Sequence, residues 1–247
     1  MTGQPHVTLF IQCLVDALAP EVGEAMLQVL RKLGVDVSCP GNHTCCGQPA
    51  FNSGYDREAR VAAENFLSSF ADAGTIVCPS GSCVNMVRNH FQELFAKDEN
   101  DSWPELARQV GTRTFEFSEY LIDCLGVEDI GAHYAGKVTY HDSCHLLRGL
   151  RISEQPRKLL KMVAGLEFVE MHDSDYCCGF GGAFAVKYAD ISTAMVSEKI
   201  DNILASGADT VVGCDLGCLL NIQGLISRRG LDIKVKHIAE ILASGLR

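Results

Sequence analysis

The sequence predicts an α/β protein of two pseudo-repeated lobes, each a parallel sheet covered by helices. Short apolar runs alternate with segments of helical period along the whole chain. One cysteine pattern also occurs in each half. "VTLFIQC" ends at Cys13, "TCCGQPAF" holds Cys45 and Cys46, and "TIVCPSGSC" ends at Cys83; later, "VTYHDSC" ends at Cys144, "YCCGFGGAF" holds Cys177 and Cys178, and "TVVGCDLGC" ends at Cys218. The spacings agree as well: 31 and 32 residues lie between the first cysteine and the doublet, 36 and 39 between the doublet and the last cysteine. Such self-similarity marks a duplicated unit. The lobes are assigned to residues 1–130 and 131–247.

Val7 to Gln12 is an apolar run suited to a buried strand. Pro20 to Leu33 places Val22, Met26, Val29, Leu30 and Leu33 on one helical face, with Pro20 suited to a first turn. A second strand at Val35 to Ser38 precedes the first doublet. A helix over about 57–72 uses Ala62, Phe66, Leu67 and Phe70, and Thr75 to Cys78 forms the next strand. Val84, Val87, Phe91 and Leu94 mark the following helix, and "RTFEFSEYLIDCLG" supplies a last strand and helix. The second half retraces this order with Lys137 to His141, a helix near 153–164, Leu166 to Met171, a long helix near 184–206, Thr210 to Gly213 and "DIKVKHIAEIL". The halves differ chiefly at 96–112, read as a solvated loop with a short helix. Trp103, the only tryptophan, is a candidate partner contact there.

With 47% hydrophobic and 21% charged residues, the chain reads as soluble and globular. No apolar run reaches the length of a membrane span. A net charge of -10 argues against nucleic acid, whose binding rests on Lys and Arg neutralising phosphates. The N-terminal segment lacks a basic stretch and a cleavage site, so a cytoplasmic location is expected. In a reducing compartment, twelve cysteines point to metal or redox chemistry, against the plainer reading of small buried hydrophobes.

Position favours the former, because each set of cysteines follows strand ends, and in parallel sheets those ends converge on one crevice. Four thiolates there suit an iron-sulfur cluster or zinc. Adjacent cysteines point in different directions and are awkward for one tetrahedral ion, whereas a multi-iron cluster accepts both. Gly47 and Gly179 would let backbone N–H groups approach sulfur. The candidate ligands are Cys13, Cys45, Cys46 and Cys83 for one centre, and Cys144, Cys177, Cys178 and Cys218 for the other. Cys78 and Cys214 are alternates with a core role as the competing reading; Cys39 and Cys124 are assigned structural roles. His141 and His145 bracket Cys144 as candidates to ligate iron, tune it or carry a proton, against simple satisfaction of local backbone groups, with Asp142 available to orient an imidazole. Arg148 and Arg151 form either a carboxylate clamp or a solvated pair. "GFGG" lacks the dinucleotide-loop spacing, and no strand runs directly into it.

The paired Cys-Cys-Gly segments resemble the cysteine-rich iron-sulfur domain family, which includes the Cys-Cys-Gly subunit of heterodisulfide reductase, over nearly the entire chain. "PSGSCVNMVR", "HDSCHLLRGL", "CCGFGGAFAVK" and "DLGCLLNI" look most like its lactate-utilization branch. That resemblance implies an oxidoreductase subunit carrying electrons in flavin-independent oxidation of L-lactate to pyruvate. It implies up to one cluster per lobe, [4Fe-4S] in type. It also implies two partners, a ferredoxin-like iron-sulfur protein and a third lactate-utilization subunit. The heterodisulfide reductase likeness leaves disulfide reduction as an alternative, and a zinc-stabilised interaction module is another. The fullest family motif ends in Cys-x2-Cys; here Ser80 and Asp215 stand where the first of those cysteines would be.

Overall fold

The structure, a computed structural model, describes residues 4–41, 45–96 and 102–246. The first lobe opens with β1 (His6–Leu9), α1 (Cys13–Leu18), α2 (Pro20–Lys32) and β2 (Asp36–Ser38). After the first doublet come α3 (Gln48–Phe51), α4 (Asp56–Phe70) and β3 (Thr75–Cys78). A long helical stretch follows, made of α5 (Gly81–Asn85), a π-helical turn (Met86–His90) and α6 (Phe91–Phe95). The lobe closes with α7 (Trp103–Thr112), β4 (Thr114–Glu116) and α8 (Phe117–Glu119), which runs into a second π turn (Tyr120–Cys124).

The second lobe repeats the plan with β5 (His133–Tyr140), a π turn (His145–Gly149), α9 (Glu154–Met162) and β6 (Ala164–Phe168). Then come α10 (Ala183–Lys187), α11 (Ala189–Ser206), β7 (Thr210–Gly213), α12 (Leu216–Arg229), β8 (Lys234–His237) and α13 (Ile238–Ala243). Both sheets are parallel and have the same order, β2-β1-β3-β4 and β6-β5-β7-β8. Register repeats too: Val7 pairs with Thr75 as Val138 pairs with Thr210. All four residues of β7 are buried, the pattern of a parallel strand covered on both faces.

The helices form where the apolar spacing demands. Pro20 opens α2, and Val22, Met26, Val29 and Leu30 are its buried face. On α4 the buried set is Ala59, Ala63, Phe66, Leu67 and Phe70. These faces do not stop at the lobe boundary. One core joins Val22, Met26 and Leu30 of α2 to Leu159 and Leu160 of α9 and to Ile238, Ile241 and Leu242 of α13. Separate cores lie beneath each doublet, around Phe10, Phe66 and Phe91 in one lobe and Ile200, Ile203 and Ile222 in the other.

Several elements differ from the sequence expectation. β1 stops at Leu9, although the Phe10 amide still donates to Val77 O at 2.9 Å. β6 starts at Ala164 and ends at Phe168, earlier than the apolar run 166–171 implied. The helix expected over 184–206 breaks at Tyr188 (φ -128°, ψ 53°), a non-helical conformation that separates α10 from α11. α1 is too short to show a period and is set by the Gln12 side chain, which accepts from Leu14 N at 2.8 Å. In the polar insertion, α7 buries Ala107 and Val110. Trp103 is half-buried and stacks on Phe95 with ring centroids 5.9 Å apart, so it closes the lobe's own core. Residues 97–101 of that insertion lie outside the described residues. Among the described residues, no helix is long and apolar enough to cross a membrane.

Candidate metal centre

In the order β2-β1-β3-β4, the chain leaves β1 toward one edge and returns through β3 on the other side, so the C-terminal ends of β1 and β3 flank a crevice. Cys13 follows β1 and Cys83 follows β3. The second lobe places Cys144 and Cys218 after β5 and β7 in the same way. Both crevices face the lobe interface and merge. A single cleft is lined by Cys13, Cys45, Cys46 and Cys83 from one lobe and Cys144, Cys177, Cys178 and Cys218 from the other. The structure thus brings all eight candidate ligands together around one space.

Within each set, the doublet is the hub. Sγ of Cys46 lies 3.4 Å from Sγ of Cys83. The thiols of Cys13 and Cys46 donate to Cys45, and with the Gly47 amide they lower the Cys45 thiol to about 3. Cys177 repeats this arrangement, lowered to about 2 by Cys144, Cys178 and the Gly179 amide. Cys13 and Cys144 move the opposite way, because giving their hydrogen bonds to Cys45 and Cys177 favours the protonated form and burial adds to it. Cys218 falls to about 7, chiefly through the hydrogen bond from Cys178, with the His141 imidazole beside it. The first doublet sulfur of each set is thereby favoured as the thiolate, the form in which cysteine binds metal.

The glycine after each doublet is required by geometry. Gly47 and Gly179 have φ of +83° and +80°, and each amide reaches the first doublet sulfur at 3.4 Å. A Cβ on Gly47 would sit 2.9 Å from Ala59 O, and one on Gly179 would sit 2.7 Å from Ser192 O. Both the left-handed backbone and the close helix exclude a side chain.

The remaining candidates sort by position. Cys78 and Cys214 are completely buried and do not line the cleft; Tyr140 donates its hydroxyl to Cys214 Sγ at 3.2 Å. Cys39 and Cys124 are exposed, away from the cleft. His145 lines the cleft, its Nδ1 3.7 Å from Cys144 Sγ, and burial pushes its imidazole below the ordinary value. His141 is 1% exposed, and its ring nitrogen and the sulfurs of Cys178 and Cys218 all lie within 4.8 Å of one another. Asp142 does not orient an imidazole by hydrogen bond: Arg157 grips it bidentately at 2.9 and 2.6 Å, and Ser174 donates to it. Arg148 is exposed and donates to the Asp175 carbonyl at 3.2 Å, and Arg151 is exposed with φ +59°. Neither arginine lines the cleft, so the carboxylate clamp is not formed there.

Three features escaped the sequence. The Asp215 carboxylate, 5% exposed, accepts from Ser80 Oγ, Ser82 N and Ser82 Oγ across the lobe interface, and from Ser143 Oγ. The parallel replacement of one cysteine in each half, by Ser80 and by Asp215, was its only trace. Lys199, buried in α11, donates to the carbonyls of Asp173 and Ser174 at 2.7 and 3.0 Å and so shapes the loop entering the second doublet. Arg157 also binds Glu170 and lies over the Tyr140 ring at 5.2 Å, bracing the loop before Cys144.

Clustered thiols, amides aimed at sulfur and a buried imidazole with no oxygen or nitrogen partner among the described residues fit a soft metal or an iron-sulfur cluster. The family model described as Cysteine-rich domain matches residues 7–88 and 138–223. The chain is 46% identical over 236 residues to lactate utilization protein A 1 of Bacillus mycoides, covering 96% of each chain. It is 47% identical over 239 residues to lactate utilization protein A of Shouchella clausii, covering 97% of this chain and 99% of that one. Lactate utilization protein A of an Exiguobacterium species is 46% identical over 245 residues, with 98% and 99% covered.

Proposed function

The chain belongs to the cysteine-rich domain family, and from that premise we propose that it is an iron-sulfur electron-transfer subunit in a flavin-independent system oxidising L-lactate to pyruvate. Its partners in this reading are a ferredoxin-like iron-sulfur protein and a third lactate-utilization subunit, in the cytoplasm. The observation that carries the proposal is the convergence of two cysteine quartets on one interlobe cleft. The relatives' shared name supplies the lactate context.

Cys13, Cys45, Cys46 and Cys83 would hold one cluster, and Cys144, Cys177, Cys178 and Cys218 the other. Bound clusters of this kind, [4Fe-4S] in our reading, accept and release single electrons. The chain supplies the rest. Gly47 and Gly179 direct N–H groups at the doublet sulfurs, which offsets thiolate charge and raises a cluster's potential. The apolar cores behind Cys46 and Cys178 exclude water from one side of each set. Two sets sharing one cleft suit a two-electron oxidation collected as two single electrons.

The test is iron and acid-labile sulfide content, with electron paramagnetic resonance, on anaerobically prepared protein. About eight of each per chain is the expected result for two four-iron clusters. Cys178→Ser should remove one cluster's signal while Cys124→Ser keeps both. With its partners present, lactate should reduce the clusters and an added disulfide should leave them unchanged. Protein that stays free of iron and sulfide after reconstitution, and is replete in zinc, overturns the proposal.

A further inference from the structure

The two lobes repeat their chemistry at every candidate ligand, yet differ three residues before the first. Phe10 precedes Cys13 by the same spacing with which His141 precedes Cys144. The backbone there is the same in both lobes: the Phe10 amide donates to Val77 O at 2.9 Å, and the His141 amide donates to Val212 O at 2.8 Å. Only the side chains diverge. Phe10 packs edge-on against Phe66 and Phe70, with ring centroids 4.8 and 5.7 Å away, in an apolar core.

His141 has the burial of Phe10 without its surroundings. It is 1% exposed, and neither ring nitrogen has an oxygen or nitrogen partner among the described residues; its polar neighbour is the Cys218 sulfur. A buried imidazole that meets no oxygen or nitrogen partner is costly to the fold. The first lobe avoids that cost with a phenyl ring at the same site. What the imidazole faces is sulfur: its nitrogen, Cys178 Sγ and Cys218 Sγ form a triangle with no side above 4.8 Å. A triangle of that size suits donors around a shared soft ion or cluster, for which a neutral imidazole nitrogen is a good ligand.

We propose that His141 is a nitrogen donor to the metal centre of the second lobe, making that site mixed cysteine and histidine while the first lobe's site is cysteine alone. The inference rests on the metal-centre reading above. A neutral imidazole brings no negative charge, unlike a thiolate, and where it takes an iron in place of one of the four cysteines it raises the cluster's potential. The two centres then differ in potential, and the second lobe holds the electron more tightly. In a duplicated protein such a difference would give electron flow a direction, from the first lobe's site to the second's.

The experiment uses full-length protein reconstituted anaerobically with ferrous iron and sulfide, then reduced stepwise with dithionite. Wild type should show nitrogen hyperfine coupling, by electron spin echo envelope modulation, on the centre that reduces first. His141→Phe, which copies the first lobe, and His141→Gln should both lose that coupling, and the two centres should then reduce together. Coupling that survives in both variants, or is absent from iron-loaded wild type, overturns the inference and leaves the cluster reading standing. Wild type that takes up no iron and sulfide overturns the cluster reading instead. In that case, titration with Co2+ decides the His141 site: thiolate-to-cobalt absorption present in wild type and reduced at least tenfold in affinity in His141→Phe supports it, and equal affinities overturn it.

Discussion

Ser80 Oγ donates to Asp215 Oδ1 at 2.7 Å, joining the two lobes through equivalent positions of the repeat. Each stands where a further cysteine of its own quartet is expected. Instead of extending two separate metal sites, the pair locks one lobe to the other beneath the cleft. Nearby, His237 Nε2 donates to Pro79 O at 3.0 Å, holding the Ser80 loop from the second lobe.

Asp215→Asn keeps the shape but removes the charge and turns an acceptor into a donor. With Ser80, Ser82 and Ser143 all directed at this carboxylate, the expected loss is about 3 kcal/mol. Ser80→Ala removes that bond and the α5 cap its Oγ gives the Cys83 amide, and should cost about 2 kcal/mol. Urea denaturation of both variants gives the comparison. Equal, negligible losses would remove the interlobe lock.

Gly179→Ala introduces both a left-handed alanine and a Cβ 2.7 Å from Ser192 O, an expected cost of about 3 kcal/mol. Gly54 has a similar φ of +77° with open space around it, so Gly54→Ala isolates the backbone contribution at about 1 kcal/mol. Thermal denaturation separates the two. Iron content should fall only in the Gly179 variant.

Arg157→Met leaves Asp142, 3% exposed at its side chain, without its cation, and breaking a buried pair of this kind costs about 3–5 kcal/mol. A double-mutant cycle with Asp142→Asn should return a coupling of about 2 kcal/mol or more. Additive losses would show that the two side chains act independently.

Glu116 is fully buried, and desolvation raises its carboxyl to about 7, against the hydrogen bonds its Oε2 accepts from Ser118 and Glu119. Its Oε1 has no hydrogen-bond partner among the described residues. Because the folded state keeps a proton that the unfolded chain releases, stability falls as pH rises from about 4.5 to 7, by about 3 kcal/mol in all. Glu116→Gln should flatten that slope. A slope unchanged in the variant would assign it to another group.

The spacing of the cysteines determined much by itself. Duplication, parallel α/β lobes and two sets of candidate ligands followed from Cys13, Cys45, Cys46 and Cys83 recurring as Cys144, Cys177, Cys178 and Cys218, because strand-end positions in a repeated sheet occupy repeated places. α1 and the break at Tyr188 were hidden, since one element is too short to display a period and the other is a local backbone departure inside a helical pattern. Only the tertiary structure decided that both crevices open into a single cleft, because that depends on how α2 packs along α13. It likewise decided the partners of Asp142 and Asp215. Arg157 lies 15 positions from Asp142, and Ser80 lies 135 from Asp215; contacts at such separations are fixed by the packing of whole elements, which no local pattern of residues records.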